Sequence, residues 1–225
     1  MDTEVLRRAP LFASLDDEAF AALTDEITEV DLPRGATLFH EGDQGDRLYF
    51  IISGKVKLGR TASDGRENLV AVMGPGEVFG EMALFDPSPR STAATAVSET
   101  QLAGLNHENL MKVLERNPAV SQQLLQALAR RLRRTNENLA DLVFSDVPGR
   151  VAKALLDLAE RFGRQTPDGV LVAHELTQEE LAQLVGASRE TVNKALAEFV
   201  QRGWIRLENR AVVILDLQRL RQRSR

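Results

Sequence analysis

The spacing of apolar positions changes character several times along the chain. Between residues 3 and 27, Val5, Leu6, Leu11, Phe12, Phe20, Leu23 and Ile27 recur at helical spacing, which predicts an amphipathic helix. From about residue 28 to 106 the helical period gives way to short β-rich runs, among them LPRGATLF, RLYFIIS, GKVKLGR and ENLVAVM. Turn signals break these runs at roughly the 8–12-residue spacing of a small sandwich or barrel. Ser63-Asp64-Gly65-Arg66 predicts a hairpin turn, because glycine tolerates positive φ. Helix returns over 107–115, Asn117-Pro118 ends it, and Pro118 suits the first position of the next helix. In that helix, expected from Pro118 to about Phe144, Leu125, Leu128, Leu132, Thr135, Leu139 and Leu142 alternate steps of three and four, an a/d seam. So regular a seam predicts a parallel homodimer through this helix; the plain alternative is packing onto the β-rich segment.

Ser145-Asp146-Val147-Pro148-Gly149 suits a hinge and a fresh helix start, which places a domain boundary near residue 145. Beyond it the pattern predicts a helix over 148–162, a turn at Thr166-Pro167-Asp168-Gly169, a brief strand over 170–173, two close helices and a final hairpin. The strongest local signal is LTQEELAQLVGASRETVNKALAEFVQRG, residues 176–203. Thr177 and Glu180 form a capping box, Ala182 and Gly186 leave room for a tight turn between crossing helices, and Ser188 caps the second helix. This is the spacing of a helix-turn-helix, with Leu181 and Val192 facing the shared core. Ser188, Arg189, Glu190, Thr191, Asn193 and Lys194 crowd the start of its second helix. Arginine there can fork onto guanine, and glutamate can accept from cytosine. WIRLENRAVVIL alternates like a hairpin with its turn at Glu208-Asn209-Arg210, a wing that would bring Arg206 or Arg210 near phosphate. Arg219, Arg221, Arg223 and Arg225 read either as phosphate contacts or as a solvated tail.

Composition narrows the chemistry. With 225 residues and 43% apolar content the chain can bury a core in one large or two modest domains. No stretch approaches the ~20 apolar residues of a membrane span, and the N-terminal segment lacks a signal-peptide apolar region, so a cytoplasmic location without membrane contact is expected. The absence of cysteine excludes disulfides, thiolate zinc sites and cysteine-held iron–sulfur clusters. His40, His107 and His174 stand isolated, without metal-ligand spacing, and are read as surface residues. The net charge of −5 is uneven: residues 146–225 hold 13 Lys+Arg against 11 Asp+Glu, the remainder 15 against 22. Two domains with different partners are implied.

One loop remains. FGEMALFDPSPRSTA, residues 79–93, sets Glu81 and Arg90 close in sequence between apolar flanks. The two either pair with each other or wait for one ligand carrying an anion and a hydroxyl. The FGE…R-S/T-x-A pattern, the long helix and SRETV in a C-terminal winged helix, taken together, resemble the CRP/FNR transcription regulators, in particular cyclic-AMP receptor proteins of the CRP/GlxR type. The resemblance spans essentially the whole chain. It implies an α+β fold: an N-terminal jelly-roll-like β-roll that binds cyclic nucleotide (1–116), a dimerisation helix and hinge (117–145), and a winged helix-turn-helix DNA-binding domain (146–225). It implies that Gly80, Glu81, Met82, Arg90 and Ser91 hold cAMP, Arg90 on the cyclic phosphate and Glu81 on the ribose 2′-hydroxyl, with Thr135 and Asn136 reaching adenine. Thr177, Ser188, Arg189, Glu190, Thr191, Asn193, Lys194 and Arg206 would meet double-stranded DNA at TGTGA-type half-sites, and Leu125, Leu128, Leu132, Leu139 and Leu142 would join the homodimer. The implied activity is cAMP-responsive activation or repression of promoters, with RNA polymerase as a further partner, no catalysis, no metal and no cofactor beyond the allosteric ligand. Asn136 stands where well-known members carry serine, and Lys194 where they carry arginine, which weakens inference about base preference and half-site discrimination. A constitutive DNA-binding regulator with weak nucleotide coupling and a haem sensor using His40 or His107 are the alternatives. A cupin-type enzyme would need clustered metal-binding histidines, which the β-rich segment lacks.

Overall fold

The computed structural model describes residues 3–9, 12–13, 15–63, 65, 67–86 and 88–224. Leu11 of the first expected helix, Asp64 and Arg66 of the expected hairpin turn, and Arg225 lie outside them. The chain divides into two compact units, Met1–Thr61 with Val70–Arg133, and Ala62–Leu69 with Arg134–Arg225.

The first unit opens with α1 (Thr3–Arg8) and α2 (Asp17–Asp25), where a single helix was expected. A local signal makes the second start: Asp16 takes extended backbone and its carboxylate accepts from the Ala19 N–H, an N-cap in mid-pattern. Eight strands follow, β1 (Thr28–Leu32), β2 (Thr37–Phe39), β3 (Arg47–Ser53), β4 (Val56–Thr61), β5 (Glu67–Met73), β6 (Val78–Phe79), β7 (Ala93–Ala96) and β8 (Thr100–Asn106), with the short helix α3 (Met82–Phe85) after β6. They form two four-stranded sheets, β1-β8-β3-β6 and β2-β7-β4-β5. Leu48 through Ile52 of β3 are all buried because the strand serves two cores at once. Leu48, Phe50 and Ile52 join Leu6, Phe12, Phe20, Leu23, Leu110 and Val120 on the helical side. Tyr49 and Ile51 join Phe39, Leu58, Phe79 and Leu102 between the sheets. The period-two alternation of a strand therefore survives inside an unbroken apolar run. Helix α4 (His107–Arg116) is capped by Asn106, and α5 (Pro118–Phe144) follows directly.

The second unit contains α6 (Val147–Phe162), β9 (Gly163–Thr166), β10 (Gly169–Val172), α7 (Gln178–Val185), α8 (Arg189–Gln201), β11 (Ile205–Glu208), β12 (Ala211–Ile214) and α9 (Leu217–Arg223). Its sheet runs β11-β12-β10-β9, and α6, α7 and α8 pack around Leu155, Leu181, Val192, Leu196 and Phe199. Three expectations fail here. Residues 163–166 form a strand, an edge strand of polar sequence held by β10, where only a turn was expected. The arginine-rich segment is a helix rather than a tail, because Leu220 is fully buried and Asp216 caps it. His174 is buried rather than on the surface: it lies just past β10 and its Nδ1 accepts from the Leu176 N–H at 3.1 Å.

Candidate functional site

In the first unit the β6–α3 turn and the segment before β7 meet around Arg90. Gly80 reaches φ +80°, a conformation that favours glycine, and a side chain there would come within 2.7 Å of an Arg90 nitrogen. Gly45 is equally constrained: a Cβ would stand 2.3 Å from the Ala83 Cβ and 3.1 Å from the Arg90 Cζ. Arg90 is 5% exposed. Its Nη1 donates to the Gly80 carbonyl at 2.6 Å and its Nη2 to the Arg47 carbonyl at 2.7 Å, while the guanidinium lies 4.3 Å over the Phe39 ring. Burial pushes its pKa below the ordinary arginine value, opposed by Tyr49, Asp46, Glu81 and Asp43; an arginine so placed still carries its charge.

Glu81 is 2% exposed and does not pair with Arg90. Its Oε1 accepts from Nη1 of Arg131 on α5 at 2.9 Å. Each residue keeps one buried polar atom without a partner, Oε2 of Glu81 and Nε of Arg90. Unsatisfied buried groups are costly, about 1–3 kcal/mol each and more when charged. One loop thus holds an acceptor wanting a hydroxyl or N–H and a cationic donor wanting an anion. Met82 and Ser91 are exposed at the rim, with the Ser91 hydroxyl 3.9 Å from the Met82 sulfur. Thr135 and Asn136 are exposed on the part of α5 that belongs to the second unit.

In the second unit the helix-turn-helix is built as the spacing predicts. The Thr177 hydroxyl accepts from the Glu180 N–H, and Glu180 reaches back to the Thr177 N–H at 2.7 Å. Gly186 turns left-handed at φ 69°, and Ser188 accepts from the Thr191 N–H. Arg189, Glu190, Thr191 and Lys194 are exposed on α8, whereas Asn193 is half-buried with its Oδ1 unpartnered. Lys194 pairs with Glu190 at 2.7 Å, and the Thr191 and Ser188 hydroxyls share a bond of 2.8 Å. Arg189 lines an open cavity of about 550 Å³ between the start of α7 and the β11–β12 hairpin, together with Thr177, His174, Leu207 and Arg210. Arg206, expected near phosphate, is instead held by Asp168 at 3.2 Å and Glu208 at 3.4 Å.

Comparison with known proteins bears on both sites. A model of the cyclic nucleotide-binding domain matches residues 29–117, and one of the Crp-like helix-turn-helix domain matches residues 149–223. A CRP-like cAMP-activated global transcriptional regulator from Mycobacterium tuberculosis is 58% identical over 222 residues, 99% of each chain. The chain belongs to the CRP/FNR family of transcription regulators. Among solved structures, the catabolite activator protein of Thermus thermophilus is 37% identical, with 96% of this chain and 98% of that one covered and a TM-score of 0.54. The c-di-GMP responsive global regulator CLP of Xanthomonas campestris is 27% identical, with 88% and 99% covered and a TM-score of 0.76.

Within this CRP/FNR chain the structure brings Gly80, Glu81, Met82, Arg90 and Ser91 to one loop cluster. It also adds residues that sequence reasoning passed over. Arg131 lies in RRLRR, where four arginines offer no way to choose the one facing Glu81; its place four residues before Thr135, on the same helical face, was the available signal. Gly45 carried only a turn signal. Arg150 was not singled out at all, yet its guanidinium donates to the Ser145, Val185 and Gly186 carbonyls at 2.8, 3.0 and 3.2 Å. Of the seam residues, Leu125, Leu132, Leu139 and Leu142 are exposed. Leu128 is half-buried against the core of its own unit, so one of the five leucines packs within the chain, as the alternative reading of the seam held.

Proposed function

We propose that this chain is a cAMP-responsive transcription regulator that binds pseudo-palindromic DNA as a homodimer. The observation that carries the ligand reading is the pair of buried, unpartnered atoms, Arg90 Nε and Glu81 Oε2, in one loop of the cyclic nucleotide-binding domain. A cyclic nucleotide supplies what each lacks: a phosphate for Arg90, with Ser91 and the Gly80–Met82 turn beside it, and a ribose 2′-hydroxyl for Glu81. Satisfying both would contribute to affinity, and the ligand would act allosterically to the extent that it binds one arrangement of the chain better than another. Adenine specificity is assigned to Thr135 and Asn136 by family resemblance alone. For DNA, the exposed start of α8 supports Arg189 as the reader of guanine and Glu190 as the reader of cytosine, with Lys194 partly committed to Glu190. Ser188, Thr191 and Thr177 sit where backbone contacts would position the helix, and Arg206 would have to leave Asp168 and Glu208 to meet phosphate. In a dimer two such helices would stand about one DNA turn, ~34 Å, apart. RNA polymerase is the further partner this role requires.

The test is a fluorescence-anisotropy titration of a labelled duplex bearing TGTGA and its inverted copy, at one fixed salt, without nucleotide, with cAMP and with c-di-GMP. Tightening by cAMP alone is expected. Tightening by c-di-GMP alone would move the ligand assignment to the dinucleotide. Equal tight binding in all three would make the protein a constitutive regulator.

A further inference from the structure

Helices α5 and α6 are joined by two residues, Ser145 and Asp146. Pro148, in the first turn of α6, has no N–H, and in a merged helix its ring would collide with the carbonyl four residues earlier, so the two helices do not fuse. The start of α6 is held by contacts around the link. Asp146 carries two of them on one carboxylate. Oδ1 accepts from the Gly149 N–H at 2.9 Å as the N-cap of α6, and Oδ2 accepts from Nη2 of Arg223 at 2.6 Å. Arg223 comes from the far end of the chain, and its helix is fixed there by the Asp216 cap and the buried Leu220. Gly149 permits the approach: a Cβ would stand 2.9 Å from Asp146 Oδ1 and 3.4 Å from both the Arg223 carbonyl and its Nη1. Arg223 first, then the Gly149 N–H, holds the Asp146 carboxyl below its ordinary value, and Asp146 raises Arg223.

We propose that α9 is a brace on the α5–α6 link, with Arg223 the positioning residue that holds the Asp146 carboxylate and hence the first turn of α6. Its regulatory consequence rests on the function proposed above. Because α6 packs against α7 and α8, the brace sets how much of a change at α5 reaches the recognition helix.

The pair can be opened without removing the cap. Asp146→Ser keeps an N-capping oxygen but loses Arg223; Arg223→Leu loses the pair from the other side, and Arg223→Lys keeps the charge. In the full chain without nucleotide, amide exchange over residues 146–151 is expected to quicken by up to about five-fold in Asp146→Ser and in Arg223→Leu. The double variant should be no faster than either single, and Arg223→Lys should stay near wild type. Unchanged exchange, or additive effects in the double variant, would overturn the brace. The ratio of DNA affinities with and without cAMP should shift by a similar factor in both single variants; an unaltered ratio beside altered exchange would overturn the regulatory role. If wild type itself shows no cAMP response, the proposed function has failed, and the exchange experiment still decides the brace.

Discussion

Arg90 does two jobs with one guanidinium. It donates to the Gly80 and Arg47 carbonyls, its buried Nε has no partner, and the proposed second job is to hold phosphate. Arg90→Ala should therefore weaken cAMP binding by at least about thirty-fold, since truncating one partner of a buried charge pair costs 2–5 kcal/mol. It should also lower the melting temperature, because two carbonyls lose their donor. Calorimetric titration reads the first effect, and unchanged affinity would remove Arg90 from the site. The sequence singled out Arg90 and Glu81 through the FGE…R-S/T-x-A pattern and its resemblance to CRP/FNR regulators; the two charges by themselves left an internal pair open. It did not reveal that the Glu81 partner is Arg131, because choosing among neighbouring arginines requires the helix to be docked. Nor did it reveal that His174 is buried, since a lone histidine carries no period. The expectation that Arg206 meets phosphate failed to anticipate Asp168, a residue 38 positions away that only the β9–β10 turn brings to it.

At the scale of elements, period and caps were what made the chain legible. The long helix, the capping box and the helix-turn-helix were readable because local and tertiary demands agree there. Strand β9 and helix α9 were not: β9 is short and polar, and α9 presents two leucines among arginines, too few to mark a face. The contacts that organise the second unit are equally hidden. Arg150 places one rigid fork on the carboxyl ends of two helices, the Ser145 carbonyl after α5 and the Val185 and Gly186 carbonyls ending α7. Arg150→Gln should cost about 2 kcal/mol or more, as charge-assisted bonds to helix ends are lost. Lysine, a point charge without the fork, should recover only part of that stability. Urea unfolding followed by the midpoint at constant slope measures both, and a lysine variant as stable as wild type would mean that the charge alone matters.

At the scale of the whole molecule, the exposed stripe on α5 is the feature a single chain does not explain. Leu125, Leu132 and Leu139 repeat at the heptad interval, each more than 60% exposed, with Leu142 beside them. Lone exposed leucines are ordinary, but a heptad row on one helix is the seam of a coiled coil. Thr135 falls in the other row of the same seam, seven residues from both Leu128 and Leu142, so its hydroxyl would enter a dimer interface, where a polar group is costly unless hydrogen-bonded. Leu139→Glu tests the interpretation more sharply than truncation does. In a parallel dimer the two copies of residue 139 would face each other across the seam, so the change replaces an apolar contact with two like charges. Removing one buried leucine costs 2–5 kcal/mol before any repulsion. The variant should therefore dissociate at concentrations at least about a hundred-fold above those at which wild type stays dimeric. Sedimentation velocity over a concentration series reads this directly. The proposed phosphate and ribose contacts of Arg90 and Glu81 lie outside the altered contact and should persist, whereas any share of the affinity that Thr135 and Asn136 supply should fall, and binding to the paired half-sites should weaken in step with dissociation. A variant that remains dimeric would move the interface off this seam and leave the leucine stripe to some other partner.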